Sequence, residues 1–445
     1  MLKVMEQSLA LEIMLQGHSV LLTGPAGSGK TYVLSQFIAQ AKRSGRTVAV
    51  TATTGLAASH LNGATIHSWS GLGIHNRLPA GFVSGLSQSR RDTIIKADTL
   101  IIDEISMLHD YRLDLVDQAL RLVRGEDRPF GGIQVILCGD FFQLPPVNRR
   151  DEPGGSFVTG SKAWADLDPV VCYLAEQHRQ DDEQLLEILN ALRAGDIRRR
   201  HAEALLTRID SELTGPGAVT ELHTTNADVD WINQMRLEAV DGEEKRYAMT
   251  TTGKANYVES LQRSCLAPAE LVLKIGALVM CVRNAPDRKY VNGSLGTVKA
   301  FEDLTGYPVV ALRSGRTLTV TPETWELRDG DTKRASLTQV PLRLAWAITV
   351  HKSQGMTLDA ARIDLRRAFV PGMGYVALSR VRRLDTLSLV GLGQMALKIS
   401  DDALAIGGTR RTRAAADAQR LGHLAAAAAE RAAAPEPAAP TAGGS

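Results

Sequence analysis

Aromatic side chains are scarce in this chain, 5% of 445 residues, and cysteine is scarcer, with four in all. Cys138, Cys172, Cys265 and Cys281 lie far apart with no CxxC pair. That spacing speaks against a structural zinc site and a disulfide framework alike, and fits a reducing cytoplasm. No uninterrupted apolar run approaches the ~18 residues of a membrane span, and the opening MLKVMEQSLALE carries two glutamates and no signal-peptide pattern. The expectation is a cytoplasmic protein that does not engage a membrane. An excess of one charge sign is missing too: Lys plus Arg number 51 against 49 Asp plus Glu, a formal charge of +2. On its own that balance argues neither for nor against a polyanionic partner, and any nucleic-acid contact must come from local asymmetry.

What is present is an ordinary globular composition, 44% hydrophobic and 22% charged, so most of the chain can bury a core. Its length allows about two to four domains. From Val20 to Cys138 short apolar runs (VLLTG, TVAVTAT, TLIIDE, QVILCGD) alternate with helix-like stretches, the βαβ pattern of a parallel sheet. Residues 1–175 form the first α/β domain, interrupted at about 65–95 by a Gly-rich, loop-like excursion that the domain plan treats as a wedge. Residues 176–273 and 335–408 read as a second α/β domain. Between them, 274–334 breaks into short alternating segments separated by Asn-Gly, Thr-Gly and Ser-Gly, which predicts a small antiparallel β barrel. Residues 409–445 are rich in Ala, Arg, Pro and Gly and read as a disordered tail, although Arg410 to Arg431 has the composition of a marginal Ala-rich helix.

The strongest chemical signal is Gly24-Pro25-Ala26-Gly27-Ser28-Gly29-Lys30-Thr31, a GxxxxGK[ST] loop directly after an apolar strand and before a helix. Glycines let successive N–H groups face phosphate oxygens, Lys30 reaches the β and γ phosphates, and Thr31 binds Mg²⁺. Asp103 and Glu104 end the run Leu100-Ile101-Ile102, where one carboxylate suits a metal shell and the other a water to be deprotonated. An ordinary solvated strand end is the competing account. Gln143, in GDFFQLPPV, sits where a polar side chain can sense a γ-phosphate, or belongs to a bland polar loop.

GPAGSGKT, IIDEISML, GDFFQLPPV, LAWAITVHKSQGMTLD and GYVALSRV, in this order, resemble the Pif-one family of superfamily 1B DNA helicases, with RecD-like and Dda-like relatives. The resemblance runs from about Met5 to Leu389. It implies an α/β fold of two RecA-like P-loop domains with parallel sheets, ATP and Mg²⁺ between them, and a small SH3-like β-barrel insertion in the second. It assigns Gln7 to adenine, the loop Gly24–Thr31 with Gln354 to the nucleotide, and Thr31 and Asp103 to the metal. Catalysis falls to Lys30, Asp103, Glu104, Gln143 and two arginines from the second domain, Arg179 and Arg380. Thr53, Thr54, Gly55, His67, Ser68, Trp69, Thr349, His351 and Lys352 fall in motifs that contact single-stranded DNA, with Trp69 expected to be exposed for stacking.

The implied activity is ATP-dependent 5′→3′ translocation on single-stranded DNA and unwinding of duplex, forked or G-quadruplex DNA by a monomer. The setting is a bacterial-type nucleoid, in replication, repair, recombination or telomere-type maintenance. Two alternatives remain open: a translocase that strips proteins or R-loops without processive unwinding, and a DNA-binding switch gated by nucleotide.

Overall fold

Six short strands build the first sheet: β1 Val20–Thr23, β2 Val48–Ala52, β3 Ala64–Thr65, β4 Thr99–Asp103, β5 Gln134–Gly139 and β6 Val170–Tyr173. All pair in parallel, in the order β3-β2-β4-β5-β1-β6. Helices cover both faces, so the central strands are buried along almost their whole length and carry apolar side chains on each side. Thr23 pairs with Gly139 and Ala52 with Asp103, which brings the carboxyl ends of β1, β2, β4 and β5 level along one rim. Ligands gather at such a rim. This computed structural model describes residues 5–433 apart from 62, 74, 149–152, 178, 214–218, 286–288, 291 and 330–331.

The excursion at 65–95 is more ordered than its glycines suggest. It holds helices Ile66–Trp69, Phe82–Gly85 and Gln88–Lys96, the last capped by Ser87, whose hydroxyl accepts from the Arg90 N–H.

The second lobe lays down β7 Thr220–His223, leaves for an insertion, and returns with β18 Ala347–Thr349, β19 Ala361–Leu365 and β20 Leu387–Leu392 as a parallel sheet of order β18-β7-β19-β20. Between them come β8 Lys245–Ala248, β9 Thr250–Gly253, β10 Glu270–Leu273, β11 Leu278–Cys281, β12 Leu295–Phe301, β13 Pro308–Leu312, β14 Thr317–Thr319, β15 Glu323–Asp329, β16 Thr332–Gln339 and β17 Leu342–Leu344. They form antiparallel sheets β14-β13-β12-β11-β17, β15-β16-β9 and β10-β8, with a core that includes Leu271, Val279, Val298, Val310 and Leu342. The insertion is therefore wider than 274–334. Its early strands escape notice because β9 is exposed throughout and β8 is never buried, so KRYA and TTTG carry little apolar signal.

The expectation of a disordered tail from 409 is corrected. Helix Asp401–Arg420 crosses from the second lobe, where Leu404 packs against Gly195, to the first, where Ala414 joins the core. A short turn leads to helix Ala425–Ala433, which packs along helix Gln7–Leu15. The Asp417 carboxylate, 2% exposed, accepts from the Val171 N–H at 2.9 Å on edge strand β6 and is flanked by Arg413 and Arg420. Arg431 reaches buried Glu12 at 2.7 Å and helps hold that carboxyl below its usual range against the opposing, larger effect of burial. A few charged side chains set among alanines make these contacts, so composition alone did not disclose them. The segment Pro435–Ser445, read as disordered, lies outside the described residues.

Asp417→Ala leaves the Val171 amide unpaired and should lower the unfolding free energy by about 1–3 kcal/mol in urea denaturation of the full chain. An unchanged midpoint would show that the crossing helix adds nothing.

Candidate nucleotide and nucleic-acid site

The loop after β1 is shaped for phosphate. Gly27 and Gly29 both have φ +83°, and a Cβ at Gly29 would lie 2.3 Å from Gln7 Nε2, one at Gly27 2.6 Å from Arg179 Cβ. Gln7 donates to the Ser28 carbonyl at 3.1 Å, which sets the predicted adenine reader beside the loop. Lys30 Nζ caps the loop's own carbonyls at Gly24 and Pro25, both at 2.9 Å. The buried Ser28 hydroxyl has no hydrogen-bond partner. An amide cradle, a free buried hydroxyl and a lysine form a donor set that fits a polyphosphate, and Thr31 opens the following helix on the exposed side.

Across the rim, Asp103 Oδ1 accepts the Glu104 N–H at 2.8 Å. Glu104 sits at φ +52°, a left-handed conformation that costs a non-glycine residue about 1–3 kcal/mol and aims its carboxylate into the cleft. Burial, then the neighbouring Asp103, push its pKa up to about 7, with Lys30 and Arg380 opposing. Gln354 of the second lobe donates to Glu104 Oε2 at 3.1 Å and to Gln143 Oε1 at 3.2 Å, joining three predicted residues in one bridge.

The two arginines behave differently. Arg179 lies against Gly27 and donates to the Ser379 carbonyl at 3.2 Å. Arg380, 1% exposed, spends its donors on its own lobe: the carbonyls of Val376 at 2.7 Å and of Ser353 and Met356 at 3.2 Å, and the Ser379 hydroxyl at 2.6 Å. Burial and then Arg179 lower its pKa to about 9, which leaves it charged near neutrality. To meet a phosphate it must exchange some of these partners.

A second bridge has no counterpart in the sequence reading. Arg193, from helix Glu183–Ala194, forms a buried ion pair with Asp140 at 2.6 Å and donates to the Tyr375 hydroxyl at 3.0 Å. That hydroxyl accepts the P-loop N–H of Ala26 at 2.9 Å, and the guanidinium lies 4.2 Å over the Phe142 ring. Arg193 resembled the polar face of an amphipathic helix, and Tyr375 an apolar core residue; only the GD pair before Gln143 hinted at Asp140.

The expected DNA residues are only partly free for a strand. Thr53 donates to the Glu104 carbonyl at 3.1 Å, Thr54 accepts from the Ala57 N–H as a cap, and Gly55 opens helix Gly55–His60. Ser68 gives its N–H to Thr65 and its carbonyl to Arg90. His67 stands in the short helix Ile66–Trp69, where burial, then Arg112 and His109, lower its pKa to about 4. Trp69 is corrected, being half-buried against the first-lobe core rather than exposed. At the second lobe, Thr349 accepts from the Lys352 N–H, Lys352 Nζ donates to Asn226 at 3.0 Å, and His351 stacks on exposed Phe369 at 6.1 Å. Sequence reasoning missed Phe369, whose only signal is a lone aromatic in the loop segment RRAFVPG.

Two parallel-sheet lobes with a P-loop on one, and glutamine, tyrosine and arginine reaching it from the other, define a paired-domain P-loop nucleoside triphosphatase of the helicase type. The chain belongs to the Pif1 helicase family: residues 2–201 match the family described as PIF1-like helicase, and residues 256–301 the Pif1 2B domain. It is 40% identical to the ATP-dependent DNA helicase Pif1 of Psychrobacter sp. over 92% of this chain and 70% of that one. It spans 61% of the length of the human ATP-dependent DNA helicase PIF1, to which it is 37% identical over 88% of this chain. Its fold is similar to the Pif1 helicase of Candida albicans (TM-score 0.80, 32% identity, 92% and 100% of the two chains). The Bacteroides Pif1 helicase in complex with ADP-AlF3 and ssDNA is also similar (TM-score 0.71, 32% identity, 92% and 97%).

Two outcomes follow from this geometry. Because kcat/KM reports groups of the free enzyme, ATPase kcat/KM should climb with pH through an apparent pKa near 7, as Glu104 loses its proton. A profile flat between about pH 5.5 and 8.5 would contradict that role. Tyr375→Phe keeps the ring and removes the hydroxyl joining the Ala26 amide to Arg193, so kcat/KM for ATP should fall about three- to tenfold, with a lower melting temperature from the buried donors left unpaired.

Proposed function

We propose that this chain is an ATP-driven motor that moves 5′→3′ along single-stranded DNA and unwinds duplex or structured DNA. The observation that carries this reading is that the triphosphate site is shared. The P-loop, Asp103, Glu104 and Gln143 lie on one lobe, whereas Gln354, Tyr375, Arg179 and Arg380 come from beyond it. Hydrolysis on one lobe that depends on side chains from the other ties chemistry to relative motion. Arg179 and Arg380 supply charge to the γ-phosphate as the cleft tightens, and Glu104 takes the proton of the attacking water. Thr31 and Asp103 would hold Mg²⁺, which would neutralise phosphate charge.

The strand crosses the rim formed by Thr53–Gly55 on one lobe and Thr349–Lys352 on the other, with the β insertion beside it. Polarity rests on the family resemblance. The relatives' names support DNA helicase activity, and the Bacteroides protein's complex with ssDNA supports a single-stranded track. We extend the reading to forks and G-quadruplexes as substrates, to a monomeric working unit, and to the nucleoid of the cytoplasm, for which the four free cysteines are the support.

Strand displacement with 5′-tailed, 3′-tailed and quadruplex substrates tests activity, polarity and preference together. Unwinding should require the 5′ tail and ATP, and unwinding only from the 3′ tail would overturn the polarity. Lys30→Ala should abolish ATPase and unwinding while single-stranded DNA binding persists; full unwinding by that variant would refute the P-loop assignment.

A further inference from the structure

A cavity of ≈390 Å³ opens where the β insertion meets the second lobe, lined in part by Asp230 and Gln234, by Glu270, and by Arg343 and Lys352. Its two cations come from different units. Arg343 belongs to β17, the last strand of the insertion, and Lys352 follows β18 in the second lobe. The Arg343 Nε is buried with no hydrogen-bond partner, and no carboxylate lies within ion-pair distance of the guanidinium among the described residues. A buried donor left unpaired costs about 1–3 kcal/mol, and natural proteins seldom keep one without a use.

The carboxylates nearby do not discharge it. Glu270 is engaged by Arg246 at 3.0 Å, and exposed Asp230 acts on Arg343 and Lys352 only through space. Arg343 and Lys352 repel each other across the cavity, and that repulsion, together with burial, lowers the lysine's pKa. Asn233 is fully used, exchanging hydrogen bonds with the Ala347 backbone at 2.8 and 3.0 Å, and so pins helix Asn226–Glu238 as one wall. Two like charges from two domains, one of them unsatisfied, facing a cavity whose wall also carries apolar Leu237, Leu266 and Leu271, are relieved by an anion with several acceptor oxygens. Lys352 already stands in the segment Thr349–Lys352 on the rim, so the anion nearest to hand is polymeric.

We propose that this cavity is a phosphate subsite of the single-strand track, in which Arg343 and Lys352 together hold one backbone phosphate of bound single-stranded DNA. The proposal rests on the helicase reading and deepens it. The track would extend past the rim of the second lobe to the root of the insertion, so that a seated strand clamps the two units together. Phosphate contacts of this kind position a strand without reading its sequence.

The test uses the full chain and a labelled oligo-dT, with affinity measured by fluorescence anisotropy across a salt series. Each neutralised phosphate contributes about −0.7 to the slope of log K against log salt on single strands. Arg343→Gln should weaken binding about tenfold at low salt and make that slope shallower by ~0.7, while Arg343→Lys should keep the slope and lose part of the affinity. Asp230→Asn, which removes the carboxylate facing the subsite, should tighten binding. A wild-type slope in Arg343→Gln, a slope in Arg343→Lys as shallow as the glutamine variant's, or weaker binding by Asp230→Asn would overturn the subsite while leaving the helicase reading in place. Failure of the unmodified chain to bind the oligonucleotide at any salt would overturn both.

Discussion

The buried Arg193–Asp140 pair is the constraint around which the cleft is organised. A guanidinium and a carboxylate removed from water are tolerated only when their geometry is good and their remaining hydrogen-bonding groups are met, and losing one partner of such a pair costs about 3–5 kcal/mol. Here the satisfaction is distributed: Asp140 continues β5 of the first lobe, Arg193 comes from the helix that opens the second, and the Tyr375 hydroxyl completes the set. Because Tyr375 also takes the Ala26 amide, the P-loop is wired into the pair that holds the lobes together. Phe142, two residues after Asp140, packs beneath the guanidinium, and Gln143 accepts from Gln354 of the second lobe. A change at the phosphates therefore reaches the lobe interface through a few hydrogen bonds, without a long chain of packed side chains.

The carboxylates of the site illustrate how environment divides labour between adjacent residues. Asp103 is fixed by the amide that follows it, while Glu104 is turned by its positive φ into a dry cleft where its charge is disfavoured. One is placed to hold a cation and the other to take up a proton. Backbone strain at a single residue produces this separation, and the Gln354 bridge from the other lobe keeps the strained carboxylate oriented.

Much of the nucleotide half of the site was legible because its chemistry depends on backbone shape. A loop that must turn amides inward needs glycine at set positions, and an acidic pair at the end of an apolar strand, common by itself, gains meaning from such a loop upstream. The DNA half was less legible, since Thr54, Thr65 and Thr349 are hydroxyl residues whose first obligation is to cap their own turns. Trp69 is half-buried rather than exposed because the glycine-rich segment around it folds into capped helices that set the indole against the first-lobe core. The β insertion was recognised by its turn dipeptides, but its first strands are solvent-facing and depend on pairing that no local pattern announces. The C-terminal helices were hidden by alanine, which composition counts as weakly apolar and which close packing prizes for being small: Gly407 lies so near the Phe142 ring that no Cβ would fit there.

That crossing helix bears on how the motor can move. Its first turns pack on the second lobe through Leu404, its middle passes Phe142 at the buried pair, and its far half is tied to edge strand β6 through Asp417, while the helix after it, Ala425–Ala433, is tied to helix Gln7–Leu15 through Arg431. A wide hinge opening would have to peel one end of this helix from its lobe, exposing Asp417 or Glu12 without its partners. A small rotation about the place where Gly407 meets Phe142 would leave both ends attached, because displacement is least near the pivot. Near-neutral net charge fits the same picture: a strand gripped by a few local cations and amides, some on each lobe, can be released from one lobe while held by the other, whereas a uniformly basic groove would hold it on both.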